Sequence, residues 1–158
     1  MNLKNPFNNK KNSRNYLLKN GKLINIKEKK IENKDILLEN KKIKQIKKEI
    51  NISSKDLEVI DCDGLMIAPG FVDMRVNIGE PGSEHKETIK SVARSAASGG
   101  ITSLICMPNT SPPIDQPAII QSIQRKAREV ALSKFYCTGC ITRGATGKEI
   151  CELQLMKE

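Results

Sequence analysis

The residues whose type and spacing bear on chemistry gather in and around one stretch, Ala68 to Gly82, which reads Ala-Pro-Gly-Phe-Val-Asp-Met-Arg-Val-Asn-Ile-Gly-Glu-Pro-Gly. A Pro-Gly pair leads into a short apolar run that leaves through Glu80-Pro81-Gly82, so the polar residues between them fall at the end of an expected buried strand. That is where α/β enzymes keep their chemistry. Glu80 is of a type that serves as an acid or base, but between Gly79 and Pro81 it is read as shaping the turn and accepting backbone hydrogen bonds. Asp73 is read as structural at the strand end. His85 is the only histidine and is expected in the first turn of a helix. Cys137 and Cys140 form a lone Cys-x-x-Cys, the spacing of a zinc or redox pair. On a strand, residues three apart point to opposite faces, so these two do not converge on an ion, and they are read as free thiols.

The elements around this stretch change character along the chain. Residues 1–14 are polar and aperiodic and are expected to form a disordered basic arm. Residues 15–66 read as a small β-sandwich domain. Its strands are Tyr16 to Leu18, Lys22 to Ile26, Asp35 to Glu39, Ile43 to Ile46 and Glu58 to Cys62, in an antiparallel sheet. Apolar and polar residues alternate with a break in the fourth. From residue 67 to residue 158 strands alternate with helices.

The first of these helices is expected to start at an N-cap Ser83, with Glu84 and Glu87 in its first turn, and to stop at Gly99-Gly100. Ile89, Val92, Ala93 and Ala96 make its apolar stripe. Ile101 to Met107 reads as a parallel strand covered on both faces. Pro117 opens a second helix whose inner face is Ile120, Ile123, Ala127, Val130 and Ala131. A third strand is expected over Phe135 to Ile141, and a third helix from Gly147 to Glu158. The fold class is α/β: a small sandwich followed by three βα units of a parallel, right-handed arrangement. An eight-fold barrel needs about 250 residues, so the chain is expected to be a truncated part of one; a compact three-stranded open α/β domain is the alternative.

Charge is unevenly placed. Of 27 Lys/Arg and 18 Asp/Glu, residues 1–60 hold 16 and 7, which leaves 11 of each sign for the rest. The lysines from Lys41 to Lys48 are read as a solvated face. With no recognition helix and few aromatics, nucleic-acid binding is not expected. No run of about 18 apolar residues spans a membrane, no apolar signal region follows the basic N-terminus, and five irregularly spaced cysteines fit reduced thiols in a cytoplasmic protein.

Five blocks, in order, carry a resemblance: Ala-Pro-Gly-Phe-Val-Asp at 68–73, Glu-Pro-Gly at 80–82, Glu-His-Lys-Glu-Thr at 84–88, Gly-Gly-Ile-Thr-Ser at 99–103 and Met-Pro-Asn-Thr at 107–110. From Tyr16 to Glu158 the chain resembles the dihydroorotases, a branch of the amidohydrolase superfamily, with the stretch at 68–82 as the first barrel strand. The resemblance implies a zinc-dependent hydrolase lineage of pyrimidine biosynthesis, interconverting dihydroorotate and N-carbamoyl-aspartate.

In that family a His-x-His pair on this strand ligates metal, and an Arg shortly after helps the Asn of Met-Pro-Asn-Thr to hold the substrate carboxylate. The matching positions here are Arg75, Asn77 and Gly79, while Asn109 matches the Asn. Arg is donor-only and permanently charged, so it cannot ligate a cation, and an amide oxygen at Asn77 is a weak ligand. The expectation is therefore no metal site and no catalytic residue in this chain, with Asn109 and Arg75 as substrate-binding candidates. Two further readings follow from the resemblance: an active cyclic amidohydrolase with metal ligands beyond residue 158, and a non-catalytic partner of aspartate carbamoyltransferase.

Overall fold

The structure is a computed structural model that describes residues 15–157; the expected basic arm at 1–14 lies outside them. The chain divides into two compact units, Met1–Pro69 and Gly70–Glu158. Among the described residues no helix is long and apolar enough to cross a membrane.

The first unit is one hydrogen-bonded sheet of five strands: β1 (Asn15–Asn25), β2 (Lys30–Glu39), β3 (Lys42–Lys47), β4 (Leu57–Asp61) and β5 (Met66–Ile67). The two strands expected over 16–26 are a single strand, β1, broken only by a bulge between Leu18 and Gly21, where Asn20 takes φ 62°. A Cβ at Gly21 would run into the side chain of Ile67, which would have to shift to admit it. The break in alternation along Ile43 to Ile46 corresponds to a second bulge, opposite Leu37 and Leu38.

The sheet is not purely antiparallel as expected. β1, β2 and β3 are antiparallel neighbours, but β4 and β5 pair parallel to β1. Residues 48–56 carry the chain from β3 at one edge to the far side of β1, so β4 enters in the same direction as β1. Leu17, Leu37 and Ile50 form the core of this sheet. Asp35, also buried, is satisfied by the N–H groups of Asn20 and Ile50, each 2.9 Å from a carboxylate oxygen.

The second unit is α/β. A parallel sheet runs in the order β6 (Phe71–Val76), β7 (Ile101–Cys106), β8 (Lys134–Cys137), with α1 (Ile89–Ser98) and α2 (Pro117–Val130) as the connecting helices. The expected stripe on α1 is buried at all four positions, and Ile120, Ile123 and Ala127 of α2 join it over Leu104, Cys106 and Phe135. Pro117 opens α2, where its missing N–H is not needed. Ala131, expected on the inner face, is instead the exposed left-handed C-cap at φ 53°.

Several boundaries differ from expectation. Helix α1 starts at Thr88, not Ser83: Thr88 and Ser91 exchange side-chain-to-backbone bonds in a capping box, 3.1 and 2.9 Å. Ser83 is committed elsewhere, its N–H donating to Gly79 O at 2.6 Å, so Glu84 and His85 lie in a turn before the helix. Strand β8 stops at Cys137, because Cys140 N–H donates to Ile114 O at 2.7 Å and draws the chain off the sheet. A 3₁₀ turn at Arg143–Ala145 and an isolated bridge between Thr142 and Ile150 follow, leaving only α3 (Leu153–Met156) of the expected third helix.

The largest departure concerns β6, expected to be buried. Phe71 is 65 % exposed, Val72 59 % and Met74 70 %. Among the described residues β6 pairs only with β7 and so forms an edge. β7, covered more fully, buries Leu104 and Cys106 but leaves Ile101 and Ile105 half-exposed.

Candidate site at the strand ends

The carboxyl ends of β6 and β7 are held together to their last residues: Val76 pairs with Cys106, and Met107 N–H donates to Val76 O at 2.9 Å. The polar residues beyond each strand, Asn77 on one and Asn109 on the other, therefore emerge from neighbouring strands. Within β6 the register slips between Asp73 and Val76. Asp73 stabilises that irregularity by accepting the Arg75 N–H at 3.0 Å, which agrees with the structural role expected for it.

Arg75, Asn77 and Asn109 are all exposed. Among the described residues no carboxylate pairs with the Arg75 guanidinium. Thr110, by contrast, is buried and donates its hydroxyl to Pro112 O at 2.7 Å, fixing the turn that follows Asn109.

The loop after β6 is packed too closely to carry a side chain at position 79. A Cβ on Gly79 would collide with the backbone oxygens of Ser83 and Glu87. Gly82, at φ 95°, lies against Ser111 of the loop after β7, and Ser111 N–H donates to Pro81 O at 3.0 Å. Glu84 accepts the Gly82 N–H at 3.0 Å, and this bond holds its carboxyl below the usual range.

Glu80 accepts backbone as expected, from Ile89 N–H at 2.9 Å. The sequence gives no sign of its second bond, to Lys126 of α2. The partners are 46 residues apart, and no local pattern links them.

A zinc centre of the kind the resemblance implies does not fit these residues. Arg75 has only donors, Asn77 offers one amide oxygen, and among the described residues no group of three or more His, Cys, Asp or Glu could hold a metal ion. His85 is exposed in the turn that precedes α1. Cys137 and Cys140 are not brought together: Cys137 is opposite Cys106 across the sheet, whereas Cys140 is off the strand near Cys151 and Asp115. None of the five cysteines is in a disulfide. Burial raises the Cys140 thiol, with Cys151 and Asp115 adding to it, and pushes Cys106 up to about 12.

Comparison with known proteins agrees with this architecture. Residues 64–158 match a family model described as dihydro-orotase-like. A dihydroorotase of Caldicellulosiruptor saccharolyticus is 44 % identical over 142 residues, covering 90 % of this chain and 33 % of that protein. One from Aquifex aeolicus is 44 % identical over 108 residues, covering 68 % and 26 %. Among solved structures, the L-hydantoinase (dihydropyrimidinase) from Arthrobacter aurescens superimposes with a TM-score of 0.72 at 27 % identity, covering 82 % of this chain and 28 % of that one. The chain thus spans about a third of the length of the relatives it matches. A parallel sheet whose strand ends carry 68–82 and 107–110, together with a match over 64–158, places this chain in the dihydro-orotase-like family.

Proposed function

We propose that this chain is a member of the cyclic-amide hydrolase lineage, acting in pyrimidine biosynthesis, that binds dihydroorotate or N-carbamoyl-aspartate through the carboxylate and does not itself open the ring. The observation that carries this reading is the pair of side chains at the end of β6. Arg75 and Asn77 stand where the resemblance puts two metal-binding histidines, so the groups that would activate water are replaced. What stands there instead suits an anion. A guanidinium offers a planar fork matched to a carboxylate, and Asn109 on the next strand adds an amide donor. The Arg75 charge is free to do this, since among the described residues no acidic side chain neutralises it.

Calorimetry with dihydroorotate and with N-carbamoyl-aspartate tests the reading. We expect binding heat from at least one, abolished in Arg75→Ala. Absence of any heat that Arg75→Ala removes overturns the binding role. Stoichiometric zinc together with ring-opening turnover in the purified protein would instead support the reading in which ligands beyond residue 158 complete an active centre.

A non-catalytic partnership with aspartate carbamoyltransferase is supported by a different observation. Family blocks that shape the loops, Glu-Pro-Gly and Met-Pro-Asn-Thr, are present although the ligand positions have changed. A frame that serves as a surface needs its loops and not its ligands. Co-purification tests this, and failure to associate with the transferase counts against it.

A further inference from the structure

We propose that Glu80 is the positioning residue of the strand-end site, joining the two loops that present Asn77 and Asn109 to the helices beneath them. Its carboxylate has only 13 % of its side-chain surface exposed, and each of its oxygens is occupied by a different element. Oε2 accepts the N–H of Ile89, the first residue of α1 and one of the donors that a helix leaves without an internal partner. Oε1 pairs with Nζ of Lys126 on α2. One side chain thus ties the exit of β6 to both helices.

From Glu80 the linkage runs in two directions. Backward along the chain, buried Ile78 and closely packed Gly79 separate it from Asn77, so the backbone that leads to Asn77 is held on both sides of that pair. Forward, Pro81 O accepts from Ser111 N–H at 3.0 Å and Gly82 packs against Ser111, two residues beyond Asn109. A negative charge at the α1 N-terminus is also favoured by the helix dipole, and a partly buried carboxylate with a charged partner is costly to leave half-satisfied. Glu80 is therefore the residue that ties this loop pair, already held within itself by Ser83, Glu84 and Thr110, to the two helices.

The inference rests on the anion-binding reading only for its affinity arm, so its main test is made without ligand. In ¹H–¹⁵N spectra of the full chain, Glu80→Ala is expected to move or broaden the side-chain amide signals of Asn77 and Asn109. It should also speed exchange of the Ile89 amide at least tenfold, with the amides of Leu104 and Phe135, on paired strands of the same unit, unchanged as the control for its unfolding. Glu80→Gln, which keeps an acceptor for Ile89 but gives up the charge that pairs with Lys126, is expected to shift both asparagine signals less than Glu80→Ala does. If both stay at their wild-type positions in Glu80→Ala, the proposal is overturned.

Should Glu80→Ala fail to fold, Lys126→Met removes only the pairing on α2. It should broaden the Asn77 and Asn109 signals, and unchanged signals there overturn the proposal equally. In calorimetry, Glu80→Ala is expected to weaken N-carbamoyl-aspartate binding at least tenfold, with Glu80→Gln between it and wild type. No binding by the wild-type chain refutes the anion-binding reading and leaves the spectra to decide on Glu80.

Discussion

At the residue scale, side chains that look reactive in one dimension are disarmed by where they sit. Cys106 is fully buried on the middle strand, and the loss of solvation raises its thiol to about 12. The folded value lies above the unfolded one. Its contribution to stability is therefore present below about pH 8.5 and is lost as the pH climbs toward the folded value. Alkylation with iodoacetamide at pH 8, followed by mass spectrometry, should leave Cys106 unmodified in the folded chain and label it in denaturant. Rapid labelling under native conditions would contradict the burial. Arg75 shows the opposite pattern: a charge on an exposed strand end, with no carboxylate partner among the described residues.

At the scale of elements, helix α1 shows how a local rule and a tertiary contact divide a boundary between them. Its stripe is periodic and its stop at Gly99-Gly100 is chemically marked, with Gly100 at φ 75°. Ser83, followed by Glu84 and Glu87, is the cap expected from the sequence, but the helix is capped by Thr88. Thr88 prevails because Gly79 and the loop above it engage Ser83 in a turn of their own. Glu87 also bonds to the Ser91 hydroxyl, completing the box from outside the helix. Thr88→Ala should cost about 1 kcal/mol in chemical denaturation, whereas Thr88→Ser should be nearly neutral because the hydroxyl is kept. An equal loss in both variants would mean that the Thr methyl, not the cap, is what matters.

At the scale of the molecule, the two units use their apolar residues differently. The first keeps lysines along its edge strand β3, where they discourage pairing with another sheet. The second presents Phe71, Val72 and Met74 on β6, also an edge among the described residues, without charges of the same density. Such an edge is a template for association. The chain should therefore self-associate as its concentration rises, and Met74→Lys should shift the sedimentation profile toward the monomer. A wild-type chain that remains monomeric at high concentration would argue that this edge is harmless.

The alternation of strand and helix from β6 to β8, the apolar stripes of α1 and α2, the proline that opens α2 and the kinship of blocks 68–73 and 107–110 were all legible in the sequence, because each depends on residues close together in the chain. So was the presence of Arg at 75 and Asn at 77, which is a matter of residue identity alone. Tertiary structure decided the rest. Parallel pairing of β4 and β5 with β1, the exposure of β6 and the early end of β8 turn on which distant segment supplies a hydrogen-bond partner or a cover. The bond from Glu80 to Lys126 belongs to the same class. Local pattern encodes what a segment tends to form; which polar and apolar groups are satisfied is settled only when segments far apart in the chain meet.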